Sequence, residues 1–220
     1  MSGDIAKKEI FEIANKHNCL IIVDEAHSSG TIGKNLLGIF DYYNLKIEPN
    51  YIKMGTLGKA YGSYGAYILS SSHIKEFLIN RAKPIIYSTA PSVFDIALAK
   101  VNLDYIMTNR NKLIKKIKKR VKLVENILQI KPKSLIVPIK QKSNKLAKQK
   151  QLKLQKRGFL VGAIRQPTVD EPILRVILRL GVKKSSLKEL LELITKDNNS
   201  TITKRNSDIK ELFSNLSKSG

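Results

Sequence analysis

The sequence has a single cysteine, Cys19, so no disulfide framework can form within the chain. One isolated thiol fits a reducing compartment and points to the cytoplasm. No apolar run approaches the ~20 residues that a membrane-spanning helix needs. The opening Met1-Ser2-Gly3-Asp4 lacks the basic-then-apolar pattern of a secretory signal. Acidic residues are scarce: 18 Asp and Glu stand against 40 Lys and Arg, leaving a formal charge of +22. Such a field attracts polyanions. The lysines are nevertheless spread along the chain. No zinc-ligand spacing, RNA-recognition aromatic motif or helix-turn-helix pattern accompanies them. The charge therefore reads as a solvated lysine-rich surface, not as a nucleic-acid interface. It would also suit an acidic substrate such as coenzyme A.

What is present is an alternation of helical and strand patterns, the rhythm of an α/β fold. Residues 4–17 carry Ile5, Ile10, Ile13 and Ala14 at helical spacing, with Asp4 as a cap and Asn18 as a stop. Cys19–Val23 is a continuous apolar run and predicts a buried strand of a mostly parallel sheet, with Cys19 in the core. A glycine-containing loop at 28–38 and a short helix within 35–43 follow. Strands are expected at 51–54 and 65–70, and a helix capped by Ser71 or Ser72 runs to about Asn80. Pro84–Tyr87 reads as extended. A long helix starts at Ser92, with Phe94, Ala97, Leu98, Val101 and Tyr105 on one face. From Arg110 to Lys122 there are eight basic residues and no acidic one, on an amphipathic helical pattern.

Beyond it, the pattern predicts a strand at 134–139, where Pro138 argues for a sheet edge. A helix at 144–157 stops at Gly158. Strands at 159–164 and 173–180 and a last helix from Ser185 to about Ile194 complete the run. The expected division is 1–110 for a larger domain, 111–196 for a small α/β domain, and 197–220 for a polar tail with a short helix around 207–217.

Two apolar runs end in groups that can do chemistry. Val23-Asp24-Glu25-Ala26-His27 closes the first, and Thr56-Leu57-Gly58-Lys59-Ala60-Tyr61-Gly62 follows the strand at 51–54. Ligands of open α/β sheets bind at the carboxyl ends of strands. A lysine set among glycines can be approached closely, because glycine puts no side chain in the way. Glu25 is not read as a metal ligand, since nothing else completes a metal site.

The spacing Asp24-x-x-His27, then Thr56-x-Gly58-Lys59, then Gly62 and Gly65-Ala66, resembles the pyridoxal-phosphate (PLP) enzymes of aminotransferase-like fold. Within them it looks most like the α-oxoamine synthases. Tyr87-Ser88-Thr89 and Ala163-Ile164-Arg165-Gln166-Pro167-Thr168-Val169 also match. The resemblance implies part of a PLP-dependent transferase large domain, a mostly parallel sheet with helices, followed by a small C-terminal α/β domain. It also implies an acyltransferase that condenses an amino acid with an acyl-CoA and loses carbon dioxide. L-alanine and a pimeloyl thioester, as in biotin synthesis, are the expected substrates. Glycine-using members of the family share the same motifs.

By the same resemblance, Lys59 holds the cofactor aldehyde covalently, Asp24 meets the pyridine nitrogen, His27 contacts the ring hydroxyl and Thr56 binds the phosphate. Ser88 and Thr89 match a place that reaches the neighbouring subunit's phosphate site, which implies a homodimer. The substrate-carboxylate arginine of the family falls on Ile177 when counted without gaps. A two-residue deletion in the preceding loop would bring Arg175 there. The match covers only the second half of such an enzyme. The chain is therefore expected to be the C-terminal part of an interrupted or split synthase, pairing with a missing N-terminal half. It is also expected to bind cofactor poorly alone and to expose apolar sheet edges and faces. A non-catalytic basic binding module or pairing subunit is the competing expectation.

Overall fold

A computed structural model describes residues 3–196 of the chain. The expectations for the 197–220 tail lie outside the described residues. The chain divides into two units at the Ile117/Lys118 boundary, inside one long helix.

The unit of residues 4–117 is built on α1 (Glu9–Lys16), β1 (Ile21–Asp24), α2 (Ile39–Tyr43), β2 (Tyr51–Thr56), β3 (Ala66–Leu69), α3 (Ser72–Arg81), α4 (Lys83–Ile86) and the first part of α5 (Val93–Leu128). The strands form one sheet in the order β1-β2-β3, with β1 parallel to β2 and β2 antiparallel to β3. Helix α1 starts at Glu9, later than the sequence predicts, so Asp4 does not cap it. Acidic Glu9 and Glu12 in its first turn and Lys16 in its last suit the helix dipole. Asn18, at φ 50°, ends it as expected. Phe11 packs edge-on against Phe40 and Tyr51, with ring centroids 5.5 and 5.7 Å apart, and this cluster with Ile39 covers one face of the sheet. A second cluster joins Leu36, Tyr61, Ala99 and Ile106 under the loop after β2.

Several expectations are corrected here. Cys19 lies exposed before β1, not in the core. Strand β1 is an edge with one open face, where Ile22 is 66% exposed. Residues 83–86 are helical, not extended, because Pro84 sits in the first turn, where its fixed φ suits a helix and its missing N–H costs nothing. The stripe Phe94-Leu98-Val101-Tyr105 on α5 is exposed; Ala99, Leu103 and Ile106 make the buried side instead. Periodicity locates an apolar face but not which of two candidate faces finds a neighbour.

The other unit holds residues 118–128 of α5, β4 (Ile136–Lys140), α6 (Asn144–Lys156), β5 (Gly162–Ile164), β6 (Ile173–Ile177) and a seventh helix over 184–196. Its antiparallel sheet has the order β4-β6-β5, so Pro138 does sit on an edge strand. Leu174 and Val176 of β6, and Leu178 just past its end, point inward onto Val124, Val137, Leu154, Leu191 and Ile194. Ser143 caps α6 by accepting from the Leu146 N–H, and Gly158 at φ 83° ends it. The last helix begins at 184, placing Ser185 inside its first turn and not at its cap. Among the described residues no helix is long and apolar enough to cross a membrane.

Candidate functional site

The site is organised by the parallel pair β1–β2. Ile22 lies opposite Ile52 and Asp24 opposite Met54, and the Glu25 N–H extends the ladder to the Met54 carbonyl at 2.7 Å. Side chains alternate across a strand, and register partners share a face. Ile21, Val23 and Tyr51 therefore turn to the packed face. Ile22, Asp24, Met54 and Thr56 project from the open one. Asp24 and Thr56 are the last residues of their strands, so a carboxylate and a hydroxyl share one face at the carboxyl edge.

Past β1, Asp24 Oδ1 accepts the Ala26 N–H at 2.8 Å, an Asx turn that brings His27 round. His27 is exposed, and its carbonyl accepts from Thr31 Oγ1 at 2.8 Å. Between them Glu25 is fully buried. Its carboxylate accepts the Ile39 N–H at 2.8 and 2.9 Å to its two oxygens, accepts from Ser28 Oγ, and lies 3.7 Å from Lys53 Nζ. Lys53 also donates to the Leu37 carbonyl at 2.6 Å and lies over the Phe40 ring. Burial pushes the Glu25 carboxyl above its ordinary value. The charge of Lys53 and the Ile39 and Phe40 amides pull it back.

Past β2, Thr56 Oγ1 accepts the Gly58 N–H at 3.1 Å and donates to the Gly65 carbonyl at 3.2 Å, closing the turn that carries Lys59. Lys59 is exposed at the tip, and its carbonyl takes the Gly62 N–H at 3.2 Å. Gly62 has φ 58°, a conformation most side chains resist. The turn is fastened to α5: Asn102 Nδ2 donates to the Tyr61 carbonyl at 2.6 Å, and Ser63 Oγ to the Asp95 carbonyl at 2.6 Å. The Tyr61 ring is buried beside Tyr67, and its phenol is pushed up to about 12, first by burial and then by Tyr67. Tyr67 Oη and Ser29 Oγ are hydrogen-bonded at 2.8 Å.

The two motif loops touch. A Cβ on Gly30 would collide with Cβ of Ala60, the residue after Lys59. The structure thus brings Asp24, Thr56 and the His27 and Lys59 loops to one edge of the sheet. Ser88 and Thr89 lie in an exposed segment after α4, where Ser88 Oγ donates to the Pro84 carbonyl. Arg175 belongs to the other unit, at the centre of β6, opposite Pro138 and Gly162.

Sequence reasoning missed Glu25, Lys53 and Asn102 as the residues that hold these loops. Only one signal pointed to Glu25. It is a charge adjacent to Asp24 in an alternating strand, so it must face the opposite, packed side.

The fold and this edge define a class. The chain belongs to the aminotransferase class I and II family, whose model matches residues 1–194. More particularly, it is similar to 8-amino-7-oxononanoate synthase of Helicobacter pylori strain J99, at 40% identity over 194 residues, which cover 88% of this chain and 51% of the relative. Among solved structures it resembles 8-amino-7-oxononanoate synthase from Francisella tularensis, with a TM-score of 0.74 at 28% identity over 92% of this chain and 61% of that one. A serine palmitoyltransferase from S. paucimobilis, with PLP and myriocin bound, shares the fold at a TM-score of 0.81 and 23% identity, over 91% of this chain and 52% of that one. The chain spans about half the length of the curated relatives it matches.

Proposed function

We propose that this chain supplies the lysine-bearing half of a PLP-dependent α-oxoamine synthase of the 8-amino-7-oxononanoate type. The carrying observation is the shared edge: Asp24 and Thr56 on one face of adjacent parallel strands, with the Lys59 turn packed against the His27 loop. These residues fit the cofactor chemically. Lys59 offers an exposed amine for the aldehyde, and Asp24 a carboxylate to keep a pyridine nitrogen protonated. His27 would meet the ring hydroxyl, and Thr56 the phosphate. When bound, PLP supplies an electron sink for a carbanion at the amino-acid α-carbon.

Asp24 would hold a proton on the ring nitrogen. The Lys59 amine would take the α-proton of the amino acid and return a proton to the product. Ser88 and Thr89 would serve the phosphate of a second subunit, and Arg175 the substrate carboxylate, where a guanidinium fork suits two oxygens. The substrates in this reading are L-alanine and a pimeloyl thioester, in the cytoplasm.

Exposed apolar surface supports a partner, either a second subunit or a separate chain completing the fold. Phe94 is 88% exposed, and Val93, Val101, Ile22 and Ile68 are also uncovered among the described residues.

The test is product formation. Pimeloyl-CoA, L-alanine and PLP are incubated with this chain, with and without the N-terminal half of the Helicobacter pylori relative. The reading expects 8-amino-7-oxononanoate by mass spectrometry only when both polypeptides are present. A product made from glycine and not from alanine would move the assignment to a glycine-using synthase. No product from the pair with either amino acid contradicts it.

A further inference from the structure

Glu25 carries no role in the chemistry proposed above, yet its carboxylate is held by the Ile39 amide, Ser28 and Lys53. It sits between Asp24 and Ala26-His27, and strand alternation turns it away from the open face on which Asp24 projects. There it is fully buried. Both carboxylate oxygens take the N–H of Ile39, the first residue of α2, so Glu25 anchors the N-terminus of that helix. It also accepts from Ser28 Oγ and faces Lys53 Nζ at 3.7 Å. Lys53 belongs to β2, three residues before Thr56, and ties back to Leu37.

The backbone around α2 closes tightly on this carboxylate. Gly38 has φ 99°, and a Cβ there would land inside the Glu25 carboxylate. The chain has been brought against the carboxylate from the far side. Glu25 also starts the backbone turn of the His27 loop: its carbonyl accepts the Ser28 and Ser29 N–H groups at 3.1 and 3.0 Å. Ser29 in turn bonds Tyr67, and Gly30 meets Ala60 beside Lys59. A shift of Glu25 would therefore be passed to Asp24 on one side, and through Ser29 and Gly30 to the lysine turn on the other.

We propose that Glu25, clamped by Ile39, Ser28 and Lys53, is the positioning residue that fixes Asp24 and the His27 loop relative to the Lys59 turn. The chemical half of this claim rests on the cofactor reading given above. The clamp itself does not.

Two measurements on the full chain test it. In hydrogen exchange, Glu25→Ala should speed the amides of Ser28, Ser29, Thr31 and Ile32 by about tenfold or more, while α6 in the other unit keeps its protection. In the second, the chain is paired with the N-terminal half of the Helicobacter pylori relative and treated with excess PLP and borohydride. Pyridoxyl label on Lys59 is measured against label on exposed Lys156, which serves as an internal reference. Glu25→Ala should lower the Lys59:Lys156 ratio roughly tenfold, because a small misplacement of reacting groups is costly. Glu25→Gln should fall between, since it keeps an oxygen for the Ile39 amide but loses the charge facing Lys53.

Unchanged loop exchange in Glu25→Ala overturns the clamp. Faster exchange with an unchanged labelling ratio overturns its tie to Lys59. A ratio showing no preference for Lys59 in the unaltered pair overturns the cofactor reading and the chemical half of this inference, while the clamp stands or falls by the exchange measurement. That outcome is read before any variant is made, so the two failures are told apart.

Discussion

Asp24 lies directly opposite Met54 in the parallel β1–β2 ladder, and so on the same face of the sheet as Thr56, two residues further on. This relationship places a carboxylate and a hydroxyl at adjacent strand ends, at the edge where open α/β sheets bind ligands. Replacing Asp24 by Ala should weaken PLP retention by the complete synthase by roughly 1.5–3 kcal/mol, the worth of a hydrogen bond to a charged group. Thr56→Val should act less severely on the cofactor, and should also loosen the turn by removing the bonds to Gly58 and Gly65. Equilibrium dialysis against PLP checks both.

The Glu25–Lys53 pair gives a prediction in stability. Lys53→Met leaves the Glu25 carboxylate buried without its cation and should cost roughly 3 kcal/mol, as broken buried pairs do. Adding Glu25→Gln to Lys53→Met should cost less than the sum of the two single changes. Urea unfolding of the four proteins gives the coupling directly. Additive losses would show that the two groups do not interact.

Gly38 offers a backbone counterpart. Alanine there must adopt φ near 99° and displace the Glu25 carboxylate at once. Gly38→Ala should destabilise the chain by roughly 2 kcal/mol or more. Gly181→Ala, where a Cβ would meet nothing within 4 Å, serves as the control and should be near neutral.

Tyr61 predicts an alkaline effect. Its phenol is held up at about 12 against an ordinary 10.0, chiefly by burial. A raised folded-state value favours the neutral form. Its contribution is therefore complete below pH 10 and is lost as pH climbs from 10 towards about 12. The span corresponds to at most about 3 kcal/mol. Spectrophotometric titration should find a tyrosine component ionising near pH 12, and Tyr61→Phe should remove that component. Normal titration of every tyrosine in the folded chain would contradict the buried placement.

Much of this arrangement was legible in the sequence. The apolar run that stops at Asp24 marks β1, and the strand expected at 51–54 lies within β2, which runs two residues further to Thr56. Glycines at 58, 62 and 65 mark the turn between β2 and β3. Pro138 marks an edge, and Gly158 marks the end of α6. These are local signals with local causes.

What stayed hidden depends on residues distant in sequence. Cys19 reads as core by composition, but the β1 ladder begins at Ile21 and leaves it outside. On α5 the stripe through Phe94 and Val101 has helical period, yet Tyr61 and Leu36 pack on the side carrying Ala99 and Ile106. The clamp at Glu25 needs Lys53, Ile39 and Gly38 together, and no short window of sequence contains all of them.

The central claim is that the amine of Lys59 takes the cofactor aldehyde beside Asp24. The most direct test treats the chain, paired with the N-terminal half of the Helicobacter pylori relative, with PLP, reduces it with borohydride and maps the pyridoxyl group by peptide mass spectrometry. The account predicts label concentrated on Lys59, falling in Asp24→Ala and absent in Lys59→Ala. Label scattered over the exposed lysines, with Lys59 no more modified than its neighbours, would contradict it.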